Sequence, residues 1–217
     1  THAQGFYFLR GREQLIQLRK EKYNFTEEKW KHARPYLRLL ASLPHVRAIF
    51  LANAMGWNNA RHDSDIDITI ITTPDHIWTA RLFTAGLMKL LRQRPGEQSP
   101  DRALCLSFYV DSNHLTLAPY RLHDHDVPFA FWVAQQYPVY DPEYLHHKLF
   151  EQNASWLHGT YAYLHWPTPT PRRSITSYLL LRPKKLLLEL LPLERLSRAI
   201  QQRLMPTTIT TQANKDT

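Results

Sequence analysis

Asp65 and Asp67 stand two residues apart at the head of an apolar run, Ile66 to Thr72, and no other residues of the chain combine type and spacing so well for chemistry. In a β-strand, side chains at i and i+2 point to the same face, so the two carboxylates project together while Ile66, Ile68 and Ile70 face the other way into a core. An oxygen-rich pair of this kind suits Mg²⁺, a hard ion held by one or two carboxylates together with substrate phosphates and water. A nucleotide is the natural third party. Taken alone, Asp-x-Asp is also a common turn element whose side chains bond local N–H groups.

The flanking elements give the pair its setting. Val46 to Ala52 is a second apolar run, followed by a polar turn and then Ser64-Asp65-Ile66-Asp67, so the implied order is strand, turn, strand. This arrangement resembles the signature of the DNA polymerase β-type nucleotidyltransferase superfamily, closely over residues 46 to 72 and in outline over 40 to 115. That signature has an apolar strand, a Gly-Ser pair opening a short helix, and Ser-Asp-x-Asp on the next strand. The resemblance implies an α/β (α+β) fold: a small mixed β-sheet of the nucleotidyltransferase type, with flanking helices and a C-terminal helical extension. It implies that Asp65 and Asp67 are catalytic metal ligands and that Asn53 and Ala54, with Ser64, meet the phosphates of a nucleoside triphosphate; Arg61, in the turn leading to the pair, reaches a phosphate if nucleotide binds there and is otherwise a surface residue. The implied reaction moves an NMP from an NTP to a hydroxyl acceptor and releases pyrophosphate, with two Mg²⁺ ions about 3.5 to 4 Å apart in a fully active site. The Gly-Arg-Glu at 11 to 13 beside Phe6 to Leu9 resembles the last wing of a missing N-terminal module.

The chain departs from the family pattern twice. Asn53-Ala54 takes the Gly-Ser place; Asn53 is among the few residues that adopt positive φ readily, but Ala54 has no hydroxyl. The third carboxylate, expected on a following strand, is missing from Ala103 to Val110, where Ser107 is the one polar side chain; Asp101 precedes that run and Asp111 follows it. The alternative expectation is therefore a catalytically weakened nucleotidyltransferase-like subunit that binds nucleotide, RNA or a partner protein.

At 217 residues and 43% hydrophobic, the chain can bury a sizeable core. Its single cysteine, Cys105, lies in an apolar run and is expected to be a small core residue; no disulfide framework can form within the chain, which favours a cytoplasmic location. No run reaches the roughly 18 apolar residues of a membrane span, and no signal peptide is visible. The start at Thr1, without methionine, fits a processed or excised chain. His123-Asp124-His125-Asp126 holds ligand-type residues, but alternation on one short segment does not close a four-ligand zinc site. Trp57, just after Asn53-Ala54, is core material or a platform for a base.

The expected organisation is an N-terminal strand and helix over 1–25, the nucleotidyltransferase-like domain over 26–160, a Pro/Thr linker over 161–173, a helical extension over 174–206 and a disordered tail over 207–217. Thr26 is the expected cap of a helix over 27–42, Pro35 its expected kink, and the sheet is expected to carry its helices on one face. Pro183 and Pro192 interrupt the helical extension. Net charge is +5 over residues 1–38, −3 over 39–170 and +6 over 171–217. Basic flanks around an acidic centre suit a polyanion such as RNA, and the amphipathic C-terminal helix equally suits a protein partner or a membrane surface.

Overall fold

A computed structural model describes residues 1–96, 102–161 and 170–204. Among these, the regular structure is a two-stranded hairpin, seven α-helices, three single-turn 3-10 helices and a four-stranded mixed sheet. The hairpin pairs β1 (His2–Ala3) with β2 (Phe6–Tyr7), and both residues of its two-residue loop, Gln4 at φ 51° and Gly5 at φ 80°, take the left-handed conformation such loops require.

Helix α1 (Gln14–Ala41) is one continuous helix across the position where the sequence predicts a start. Thr26 does not cap it. Its hydroxyl donates back to the Lys22 carbonyl at 2.8 Å and accepts the Ala60 N–H at 3.1 Å, so the residue ties the helix to a distant loop. The helix is held to the sheet by Trp30, Ala33, Leu37 and Leu40, all buried and spaced three or four apart. Pro35 sits inside it without ending it.

The chain then builds β3 (Val46–Leu51), the four-residue α2 (Asn53–Gly56), β4 (Ile66–Thr72), α3 (Ile77–Leu90), β5 (Leu104–Asp111), α4 (Val127–Ala134), β6 (Tyr137–Tyr140) and α5 (Leu145–Tyr161). The strand order is β5-β4-β3-β6, with β3 antiparallel to β4 and β6, and β4 parallel to β5. Strand β6, absent from the sequence reading, is four residues long and contains Pro138. A proline is tolerated there because β6 lies at the edge of the sheet.

Helices cover both faces of the sheet, not one. Ile49, Leu51, Ile66, Ile68, Ile70, Leu104 and Leu106 pack in one core with Trp30 and Leu37 of α1 and Met88 of α3. Ala48, Phe50, Ile71 and Val110 pack in a second core with Ala130 and Val133 of α4 and Leu145, Leu149 and Leu157 of α5. Period-2 alternation along β3 and β4 thus serves two apolar layers, which is why these strands read as near-continuous hydrophobic runs.

Most of the proposed linker, residues 162–169, and all of the expected tail lie outside the described residues. Beyond Thr170 the chain packs back on the core. Ile175 joins the first core, Tyr178 N–H donates to Ser42 Oγ at 2.8 Å, and α6 (Arg182–Glu189) sends Lys185 Nζ to the Val46 carbonyl at 2.7 Å. Helix α7 (Glu194–Leu204) caps α3, its Glu194 carboxylate accepting the N–H groups of Trp78 and Thr79 at 2.9 and 2.8 Å. Pro183 falls in the first turn of α6, where a missing N–H has no helical partner to lose, so it starts a helix instead of kinking one. Leu180, Leu187 and Leu190 remain exposed on this segment. No helix among the described residues is long and apolar enough to cross a membrane.

Candidate functional site

The sheet register decides which side chains meet. Ile66, Ile68 and Ile70 are fully buried in the first core, so Asp67, between them, projects to the other face at the start of β4, with Asp65 just ahead of it. On the parallel neighbour, Leu104 and Leu106 point into the same core and Cys105 therefore projects with Asp67, its partner in the register. A carboxylate oxygen of Asp65, one of Asp67 and the Cys105 sulfur all lie within 4.8 Å of one another. Cys105 is half-buried beside two carboxylates, not the packed core residue expected from its apolar surroundings. The alternation Leu104, Leu106 against Cys105, Ser107 carried that signal. Finding it required knowing which strand lies next to β4.

Asn53 opens α2 with φ 48°, the left-handed conformation its side chain tolerates, and its Nδ2 donates to Asp67 Oδ2 at 2.8 Å. The Ala52 N–H donates to the Asp67 carbonyl at 3.0 Å, so both backbone and side chain of Asp67 are fixed by the β3–α2 junction. Ala54 is half-buried and packs against the first core. Ser64 turns inward on its own loop, its hydroxyl donating to the Arg61 carbonyl at 3.0 Å, and Arg61 is exposed and paired with Asp63 at 3.2 Å. The structure thus brings Asn53 to the Asp pair and places Ser64 and Arg61 in the turn that leads to it.

Helix α1 holds that loop from behind. Arg19 donates to the carbonyls of Trp57 and Asn58, Thr26 accepts from Ala60, and Lys29 Nζ, on a buried side chain, donates to the carbonyls of His62 and Ser64 at 3.1 and 2.6 Å. These three residues position the segment from α2 to Asp65, and sequence reasoning missed them because their partners lie 33 to 39 residues away. Gly56 is required on the other side, since a Cβ there would sit 2.3 Å from the Gln135 carbonyl oxygen at the start of the α4–β6 connection. Trp57 stacks on Phe131 with ring centroids 5.5 Å apart, which commits one of its faces to packing.

Burial pushes the Asp67 carboxyl above the ordinary carboxylate range; the Asn53 amide opposes this and the Asp65 charge adds to it. The Cys105 thiol is pushed up to about 11, by burial first and then by Asp67 and Asp65, so at neutral pH it is a neutral S–H beside Asp67. The donor set is therefore two carboxylates and a protonated thiol. Asp65 and Asp67 fit one Mg²⁺, which takes oxygen ligands; the soft sulfur of Cys105 does not supply the oxygen a second one needs.

The remaining candidates are structural. Asp111 pairs in register with Thr72 at the far end of the sheet and accepts the N–H groups of Asp75 and Asn113 at 2.6 and 2.7 Å; Asp101 lies outside the described residues. Asp126 caps α4 through the Phe129 N–H, and its segment forms no metal cluster among the described residues. Buried His146 shares a 2.7 Å hydrogen bond with the Gln136 carbonyl. No protein-family model, no curated protein and no solved structure matches this chain.

Proposed function

We propose that the chain is a nucleotidyltransferase-type domain that binds a nucleoside triphosphate through Mg²⁺ held by Asp65 and Asp67, and transfers its NMP to a hydroxyl acceptor with release of pyrophosphate. The observation that carries this reading is the pairing of the two carboxylates on one sheet face with Asn53 bonded to Asp67 from the turn of the preceding strand. Mg²⁺ bound there would screen the triphosphate charge and polarise the phosphoryl oxygens. The chain's own residues bind and orient. Asn53 fixes the rotamer of Asp67, Lys29 fixes the backbone on either side of Asp63, and Arg61, at the solvent edge of the turn, is placed to reach a phosphate once it leaves Asp63. In-line attack by the acceptor oxygen on the α-phosphorus forms one P–O bond and breaks the bond to pyrophosphate; the acceptor's proton leaves to solvent.

A second reading rests on Cys105. Where the family resemblance expects a third carboxylate, this sheet presents a neutral thiol, and Ala54 lacks the hydroxyl of the family's serine. On that ground the domain binds nucleotide as a regulatory or scaffolding subunit and turns it over slowly or not at all. Calorimetry with each of the four NTPs in Mg²⁺, on wild type and on Asp65→Ala/Asp67→Ala, tests the shared core of both readings. Magnesium-dependent binding lost in the double variant supports it. No binding of any NTP by the wild type sinks both. A pyrophosphate-release assay with RNA ends and small hydroxylated acceptors then separates the active from the weakened form.

A further inference from the structure

A cavity of about 590 Å³ opens at the end of α2, bounded by α1, β6 and the segment after Thr170. The charged groups of its lining are three guanidinium groups, Arg19, Arg172 and Arg173, and one carboxylate, Glu27. Arg172 Nη2 donates to Glu27 Oε2 at 2.6 Å and Arg173 Nη2 donates to Glu27 Oε1. Among the described residues Arg19 donates there to the neutral carbonyls of Trp57 and Asn58. Three positive charges and one negative leave an excess of two.

Arg173 is only 5% exposed, yet its Nη1 has no hydrogen-bond partner among the described residues. Trp57 Nε1 and Asn58 Oδ1, on two more residues of the same lining, are covered and likewise lack partners among the described residues. The excess of two positive charges on the lining of a cavity this size suits an anionic ligand. Guanidinium forks recognise phosphate oxygens with two parallel hydrogen bonds.

We propose that this cavity binds a phosphate monoester of the size of a sugar phosphate or nucleoside monophosphate. The charge balance selects the monoester: its dianion, of about −2 at neutral pH, matches the excess, whereas a single carboxylate leaves one cation uncompensated. The volume lies within the range of small-molecule pockets, which is about 300 to 1,000 Å³. The cavity is distinct from the carboxylate site but adjoins it. Asn53, bonded to Asp67, and Gly56, on the cavity wall, are the two ends of α2, separated by about 5 Å of helix rise.

The test is calorimetry in EDTA, with no divalent metal to engage Asp65 and Asp67, using AMP, ribose 5-phosphate and inorganic phosphate in separate titrations. The variants are Arg172→Gln, whose side chain is 66% exposed, Arg19→Gln as a second lining change, and Asp65→Asn/Asp67→Asn as the control. At least one ester is expected to bind wild type more tightly than inorganic phosphate, and each Arg variant to weaken it about tenfold, equivalent to about 1.4 kcal/mol. The Asp double variant is expected to leave the affinity unchanged. The proposal is overturned if neither ester binds, if inorganic phosphate binds as well as the esters, if the Arg172→Gln affinity is unchanged, or if the Asp double variant abolishes binding. Because metal is absent, failure here leaves the NTP reading untouched, and failure of NTP binding in Mg²⁺ leaves this one standing.

Discussion

Removing Glu27 should unbalance the interior more than any other single change to the cavity wall. Glu27 lies on α1 at 9% exposure, with Arg173, 146 residues along the chain, at 5%. Its pairing with Arg172 contributes little by itself, because that guanidinium is mostly in water and exposed ion pairs are worth about 0 to 1 kcal/mol. Arg173 cannot leave the interior so easily. Among the described residues its Nη1 has no partner, and Glu27→Ala removes the one charge paired with it. Breaking a buried pair by deleting one member costs about 3 to 5 kcal/mol, most of it the penalty of a lone buried charge. For a chain of this size that lowers Tm by roughly 6 to 20 °C.

A double-variant cycle separates the charge penalty from lost packing. In Glu27→Ala/Arg173→Met both charges are gone and the thioether fills much of the space of the arginine stem, so most of the loss should return, with a coupling energy of at least about 2 kcal/mol. Urea unfolding followed by circular dichroism at neutral pH reads the three variants against wild type. Repeating it at high salt should change the coupling little, since a buried pair is poorly screened. A Glu27→Ala loss below about 1 kcal/mol, or a double variant as unstable as the sum of the two singles, would refute a buried, load-sharing pair at this junction.

Two further predictions follow from groups the fold has moved off their ordinary behaviour. Burial lowers the His146 imidazole from the usual 6.5 to about 4 in the folded chain, so between those values the unfolded chain binds a proton that the folded one refuses. Stability is full above about pH 6.5 and falls as pH drops toward 4, by about 3 kcal/mol in total; His146→Gln should flatten that slope in urea titrations taken between pH 7.5 and 4.5, and an unchanged slope would overturn the assignment. Cys105→Asp places a third carboxylate beside Asp65 and Asp67, which repel it without metal, so it should lower the metal-free Tm and enlarge the upward shift produced by Mg²⁺. Cys105→Ser should do neither, and equal Mg²⁺ shifts in wild type and Cys105→Asp would show that position 105 does not face the ion.

What the sequence discloses about this protein divides by range. Asp65, Asp67, Asn53 and the strands beside them were legible because their signals are local: alternation with period two, and an asparagine where the turn needs positive φ. Strand β6 was not, since a Pro-containing tetrapeptide is stable as a strand only because β3 offers it an edge. The Thr26 cap failed for the same kind of reason; its hydroxyl found Ala60, and the continuing apolar stripe of α1 outweighed a local stop signal. Cys105 shows the boundary most clearly. Its face could be read from its own strand, but its meaning depends on β5 lying parallel to β4 in a register that sets residue 105 against residue 67. The pair that does the proposed chemistry is thus written locally. The thiol that limits that chemistry, the α1 side chains that position the loop, and the Glu27–Arg173 contact that shapes the neighbouring cavity are all set by pairings between distant segments, and those exist only once the sheet has closed.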